Sequence, residues 1–286
     1  MNIKKVLIVG NRITGLEAIS KLEFLEIKCI AALEGSELSK LIKRENTKNK
    51  ISFTSKERIN LFNFIQDNTF DILLSTGCPF ILPIEKIKKN NQLFINAHPS
   101  LLPKGRGMHP INEILLKEHK YYGASLHYID KNIDAGNIIH QKKYPISSDL
   151  NLDLLYYLSF QCEKEVIEEG LNKLHEKKFN YLGEQQIGKP STFQRNKNIQ
   201  RVNLKENNSK EIKRIVNAFG TRSQGTYTNI DEEIFKIFEV QIIKNQHIAD
   251  KFRKNKIGSI CYIFNGKLLI KLIDAFILIT NYEIVN

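Results

Sequence analysis

The chain lacks tryptophan altogether, has only two methionines, and contains no pair of cysteines spaced C-x-x-C. Its four cysteines, Cys29, Cys78, Cys162 and Cys261, stand far apart in the sequence. That spacing argues against a zinc ribbon and against a disulfide framework, and fits reduced thiols. No stretch reaches the ~18 apolar residues that a membrane span needs. The apolar part of residues 1–10 is too short for a secretory leader, so the expected location is the cytoplasm. With 42% hydrophobic and 26% charged residues, 15 Gly and 7 Pro, the composition is neither disordered nor collagenous. A length of 286 residues accommodates one large domain or two modest ones, each with its own core.

Charge of one sign predominates: the formal net charge is +12 and the sequence pI about 9.4. Such a balance invites a nucleic-acid partner. The excess is carried mainly by lysine in a chain also rich in Ile and Asn, a pattern that base-composition bias produces, and arginine is the better phosphate and base reader. The last third of the chain is nevertheless the more basic in proportion to its length.

Apolar runs at residues 4–10, 27–33, 70–75 and 93–96 read as buried parallel strands. Helical spacing at 13–25, 37–43 and 57–66 separates them, and this alternation is the signature of an open α/β sheet. Residues 123–130 and 137–143 then read as two closely spaced strands, followed by a long helix over 152–178. Residues 183–200 show no apolar periodicity and read as a linker. A short helix at 211–219 and short strands, including 267–271 and 275–280, complete the pattern. The expected architecture is α/β: an N-terminal, open, mostly parallel Rossmann-like sheet with helices on both faces, over residues 1–182. A small, mainly β C-terminal domain is expected over 201–286, and neither internal repeats nor low-complexity tracts are present.

Gly10-Asn11-Arg12-Ile13-Thr14-Gly15 follows the first strand. It lacks the middle glycine of a dinucleotide fingerprint, which disfavours a nicotinamide dehydrogenase, and Leu16-Glu17 replaces the Lys-Ser/Thr of a P-loop. It is either a plain tight turn or an anion contact at a helix start. The more informative segment is Asn96-Ala97-His98-Pro99-Ser100-Leu101-Leu102-Pro103. In an extended chain Asn96 and His98 share one face, at the carboxyl end of a strand, where open sheets place their ligands. A second patch, residues 123–130, leads into the turn Asp134-Ala135-Gly136; such an Asp is often a turn former alone.

Together the two patches resemble the formyltransferase family that uses 10-formyltetrahydrofolate: an N-x-H-P-S-L-L-P segment, Arg106-Gly107, a G-x-S-x-H strand over 123–127, and D-x-G at 134–136. The resemblance is strong over residues 1 to 150. It implies Asn96, His98 and Asp134 as the catalytic set. Formyl transfer to an amine passes through a tetrahedral oxyanion, for which Asn96 can supply an N–H. His98 can move the amine's proton, and Asp134 can orient the ring or a water. No metal is needed, and no cluster is spaced to hold one.

By alignment with the family, Phe80, Ile81 and Leu82 would be apolar contacts of the folate, with the backbone of Ile129, Asp130, Lys131, Asn132 and Ile133 as the opposite wall. Any one of these is as readily plain core or loop. Arg106, Gly107 and Met108 would rim the acceptor, with a solvated loop as the alternative reading of Arg106. His127 matches the family's strand histidine and is read as structural, and the other histidines receive no role. Residues 218–227 resemble the start of the C-terminal module of methionyl-tRNA and sugar N-formyltransferases, which a glycinamide ribonucleotide formyltransferase lacks. The turns at 10–13 and 104–109 depart from those of the tRNA enzymes. The five basic residues Lys40, Lys43, Arg44, Lys48 and Lys50 keep a tRNA acceptor open, as an alternative to a solvated face.

The expected reaction is therefore transfer of the formyl group of N10-formyltetrahydrofolate to a nucleotide-linked amino sugar, on the way to lipopolysaccharide, O-antigen or another glycan. Methionyl-tRNA is the alternative acceptor, and a non-catalytic nucleic-acid-binding protein the reading from another class. A homodimer is compatible with the resemblance.

Overall fold

The structure, a computed structural model, describes residues 3–44 and 49–285; Lys48 and the side chain of Arg44 lie outside the described set. Two compact units are interleaved in sequence: residues 1–110, 121–145 and 157–192 form the first, and 111–120, 146–156 and 193–286 the second.

The large sheet is built from β1 (Lys4–Gly10), β2 (Leu25–Leu33), β3 (Lys50–Phe53), β4 (Ile72–Thr76), β5 (Leu93–His98), β6 (Tyr121–Tyr128) and β7 (Ile138–Pro145). Its spatial order is β3-β2-β1-β4-β5-β6-β7. β1 to β5 run parallel, whereas β6 and β7 are antiparallel. The order reverses between β1 and β4, the place where doubly wound sheets open a crevice beyond their carboxyl ends. The helices in this part of the chain are α1 (Thr14–Ile19), α2 (Glu37–Arg44), α3 (Arg58–Asp67), α4 (Ile84–Ile87), α5 (Pro110–Leu116) and the 25-residue α6 (Leu152–Glu176).

Alternation along the strands sorts the two faces. Leu7, Val9, Leu73 and Phe94 pack with Leu61 and Ile65 of α3 and Ile87 of α4. On the other face Gly15 of α1 approaches Leu74, and Gly170 of α6 approaches Leu126 so closely that a Cβ would lie 2.6 Å from the leucine. Two expectations are corrected. The helix expected over 13–25 ends at Ile19; Leu22 still reaches the core from a turn, and Leu25 as the first residue of β2. The short edge strand β3 was not anticipated.

Gly10 closes the first turn with φ 145°, and a Cβ there would lie 2.0 Å from the Thr76 carbonyl oxygen. The amides of Asn11 and Arg12 both donate to that oxygen, at 3.0 and 3.4 Å. These amides bind protein, so the segment is a tight strand-to-strand lock.

The second unit holds α7 (Ser209–Phe219), β8 (Thr226–Ile230), β9 (Glu233–Ile243), α8 (Gln246–Lys251), β10 (Ile260–Phe264), β11 (Lys267–Lys271) and β12 (Phe276–Val285). Its strands form one antiparallel sheet in the order β10-β11-β12-β9-β8. α7 begins at Asn208, whose side chain accepts from the Glu211 amide, and its apolar side packs Ile212, Val216 and Phe219 onto Phe235, Ile237 and Ile277. The basic character of this part of the chain is partly gathered: Lys120, Lys210, Lys213 and Arg214 line a cavity of about 430 Å³ within the unit.

Candidate active site

β5 and β6 bring the two sequence patches together. Asn96 lies opposite His127 in the register and His98 opposite Ser125, so all four side chains stand on one face of the sheet. Ser125 anchors the loop that follows β5: its hydroxyl donates to Ser100 O at 2.7 Å and accepts from Leu102 N at 3.2 Å and Gln141 Nε2 at 2.8 Å. The Ser100 hydroxyl in turn closes on Lys104 O at 2.8 Å.

Asp134 reaches the site from the turn after β6, with its backbone in the left-handed region at φ 47°. Its Oδ2 lies 3.5 Å from His98 Nδ1 and accepts from the Gly107 amide at 2.9 Å. Its Oδ1 lies 3.4 Å from His127 Nε2 and accepts from Asn96 Nδ2 at 3.3 Å. Asn96 Nδ2 also lies 3.2 Å from His127 Nε2. The structure thus unites Asn96, His98 and Asp134, and adds His127 to them.

Neighbouring carbonyls fix the protons on both rings, because a carbonyl can only accept. His98 Nε2 donates to Gly105 O at 2.7 Å, which leaves Nδ1 of the neutral ring as the basic atom facing Asp134. His127 Nδ1 donates to Tyr128 O at 2.8 Å, so its Nε2 accepts from Asn96. Burial holds the His98 imidazole below its ordinary value, partly opposed by Asp134 and the Gly105 carbonyl. Burial alone would raise the Asp134 carboxyl; His98, His127 and the Gly107 amide overcome it and hold the group well below the usual carboxylate range. At neutral pH the pair is a neutral imidazole beside a carboxylate.

The residues expected around a folate divide. Leu82 is buried at 5% exposure in the core beneath the site, Phe80 packs on Phe53, and Ile81 is 63% exposed. Ile129 packs on the same cluster as Phe80 and donates its amide to Phe94 O at 2.8 Å. Asp130, Lys131, Asn132 and Ile133 are all exposed. Met108 is 77% exposed, and the Gly107 amide is occupied by Asp134. Arg106 directs Nε and Nη2 to Gln186 Oε1, at 3.2 and 2.6 Å.

Three contributors were not singled out from sequence. Arg12 grips the fully buried Glu163 of α6 and donates to Ala97 O, between Asn96 and His98, at 3.4 Å. Gln186 and Ser191 hold the loops that carry Asp134 and Gly105. Among the described residues no group of His, Cys, Asp and Glu is arranged to hold a metal ion, and no helix is long and apolar enough to cross a membrane.

A parallel sheet extended by an antiparallel pair brings Asn96, His98 and Asp134 together at a strand's carboxyl end, an arrangement with the groups that acyl transfer uses: a donor for an oxyanion, a base and a carboxylate. The family described as formyl transferase matches residues 31–170, and the formyl transferase C-terminal domain matches 195–285. The chain belongs to the formyltransferase family and is a formyltransferase. It is 28% identical over 244 residues to a methionyl-tRNA formyltransferase of Mycoplasmopsis pulmonis, covering 84% of this chain and 82% of the relative. Its fold is similar to an N-formyltransferase from Helicobacter canadensis in complex with folinic acid and dTDP-3-aminofucose. That likeness has a TM-score of 0.68 at 22% identity, covering 98% of this chain and 100% of the other. It is also similar to HypX from Aquifex aeolicus in complex with tetrahydrofolic acid, with TM-score 0.71 and 14% identity; it covers 100% of this chain but 45% of that one.

Proposed function

We propose that the enzyme moves the formyl group of N10-formyltetrahydrofolate to the amine of a nucleotide-linked amino sugar. The meeting of Asn96, His98 and Asp134 at the end of β5 is the observation that carries the chemistry. The acceptor amine adds to the formyl carbon, and the carbonyl π pair moves onto oxygen. That oxyanion takes an N–H of Asn96, displacing the long 3.3 Å contact to Asp134 Oδ1. The amine's proton goes to His98 Nδ1, where the imidazolium gains the Asp134 carboxylate as partner. Collapse of the intermediate breaks the C–N10 bond, the pair stays on N10, and the proton from His98 completes tetrahydrofolate. Phe80, Ile81 and the 129–133 loop would hold the pterin, and Arg106 would meet the acceptor's phosphates.

The sugar reading is supported by turns at 10–13 and 104–109 that depart from those of tRNA enzymes, and by a fold shared with a sugar enzyme over the full length of both chains. A methionyl-tRNA acceptor is the second reading, favoured by the names of sequence relatives. The test is a formylation assay with N10-formyltetrahydrofolate, a panel of nucleotide-linked amino sugars and methionyl-tRNA. Turnover of a sugar that is lost in His98→Asn and Asp134→Ala supports the proposal. Turnover of the tRNA alone overturns the acceptor and keeps the mechanism.

A further inference from the structure

The segment from 184 to 192 forms no helix and only isolated bridges, yet it is tied to both loops of the active site. Glu184 exchanges backbone hydrogen bonds with Ile138 in both directions, each 2.8 Å. Ser191 Oγ accepts from the Gly105 amide at 2.8 Å, and Ser191 O accepts from the Arg106 amide at 2.9 Å. Between these anchors Gln186 uses its whole carboxamide. Its Nε2 donates to Asp134 O and to Gly136 O, each at 2.8 Å, and its Oε1 accepts from Arg106 Nε and Nη2. Two donors and two acceptor positions are thereby filled.

These bonds close a ring around the reacting pair. Gly105 O holds His98, the Gly107 amide holds Asp134, and the Arg106 side chain runs through Gln186 back to the Asp134 backbone. Asp134 sits at φ 47°, in the left-handed region that Asp adopts more readily than most non-glycine residues. Gln186 is a neutral partner for Arg106, and no carboxylate pairs with that guanidinium among the described residues. The arginine's charge is therefore uncompensated by a paired carboxylate, on the same loop that carries Gly105 and Gly107.

We infer that Gln186 is a positioning residue that holds Asp134 against His98 and aims Arg106 at an anionic phosphate of the acceptor. The second half of this inference rests on the proposed function; the first does not. Gln186→Glu separates the contacts: it replaces both N–H donors with an oxygen that repels the Asp134 and Gly136 carbonyls, and it neutralises Arg106. Gln186→Leu removes all four hydrogen bonds at similar size, and serves if the glutamate variant fails to fold. Lys189→Ala, an exposed change on the same segment, is the control.

The experiment combines steady-state kinetics with an NMR titration of the His98 ring in each protein. In Gln186→Glu, kcat is expected to fall ~10- to 100-fold, the scale of a misplaced catalytic group. KM for the acceptor should rise ~10-fold, as loss of a charge-assisted contact requires. The His98 titration should also shift, which a purely structural role would not cause, while Lys189→Ala matches wild type throughout. A wild-type His98 titration and wild-type kinetics in a folded Gln186 variant would overturn the inference. If wild type formylates none of the acceptors, the proposed function fails, and the His98 titration alone still decides whether Gln186 positions Asp134.

Discussion

Asp134 faces two imidazoles at once: Oδ2 lies 3.5 Å from His98 Nδ1 and Oδ1 lies 3.4 Å from His127 Nε2. The two rings stand nearly edge-on, at 80° with centroids 6.5 Å apart. Each is tied through its other nitrogen to a backbone carbonyl. The carboxylate thus faces two rings whose own protons are directed to backbone carbonyls, and a proton arriving at His98 Nδ1 meets a charge already in place.

Activity should depend on pH through His98. Burial lowers its ring below the ordinary ~6.5, so the ring is neutral, and able to accept a proton, throughout the neutral range. The rate is expected to climb on an acidic limb below ~6.5 and to stay level above it. Asp134→Asn removes the charge that raises His98, so the limb should move to lower pH while the plateau falls. Stability follows the same sign. The unfolded ring binds a proton below ~6.5 that the folded ring refuses, so stability is full above that value and declines as pH falls. A kcat–pH profile beside denaturant melts across pH 5 to 8 checks both; a limb that moves upward in Asp134→Asn would contradict the assignment.

Asn96 and His98 should fail differently. Asn96→Ala removes the proposed oxyanion donor and is expected to lower kcat ~10²- to 10³-fold. His98→Asn removes the proposed proton carrier, with an expected loss of ~10²- to 10⁴-fold. Both losses should fall on kcat with little change in donor KM, since neither group belongs to the pterin walls. A loss confined to KM would assign these residues to binding.

Much of this arrangement was legible in the sequence. Parallel strands buried on both faces appear as unbroken apolar runs, which is why β1, β4 and β5 stand out. The N-x-H and D-x-G segments specify side-chain chemistry and so carried Asn96, His98 and Asp134. His127 could be placed beside them only through the β5–β6 register, which residue types alone do not give. Gln186 and Ser191 left no mark, because their partners are mainly backbone groups that every residue carries. The helix expected over 13–25 failed because Leu22 and Leu25 keep helical spacing while the backbone turns after Ile19 and enters β2 at Leu25. β3 shows a single buried residue in four and pairs on one side only.

The proposed folate wall offers a separation between packing and binding. Leu82, at 5% exposure, belongs to the core, and Leu82→Ala should cost ~2 to 5 kcal/mol of stability in denaturant melts. Ile81, at 63% exposure, has little to lose: Ile81→Ala should change stability by less than ~0.5 kcal/mol. If Ile81 touches the pterin, the same variant weakens folate binding, measured by ligand fluorescence against a chain with no indole background. Unchanged affinity in Ile81→Ala would remove it from the wall.

The buried pair of Arg12 and Glu163 links the turn after β1 to α6. Arg12 Nε donates to Oε1 at 2.9 Å, Nη2 lies 2.8 Å from Oε2, and the Thr14 hydroxyl donates to Oε1 at 2.6 Å. Glu163 is fully buried and the Arg12 side chain 18% exposed, with Phe160 stacked beneath the guanidinium. Removing one partner leaves the other's charge uncompensated, at a cost of ~3 to 5 kcal/mol. Removing both with apolar groups of similar volume should cost much less. Arg12→Met and Glu163→Met are therefore each expected to be strongly destabilising, and the double variant to recover most of the loss. Because Arg12 also donates to Ala97 O within β5, between Asn96 and His98, the recovered double variant should still show reduced kcat. A double variant as unstable as the sum of the singles would show that the two side chains act independently.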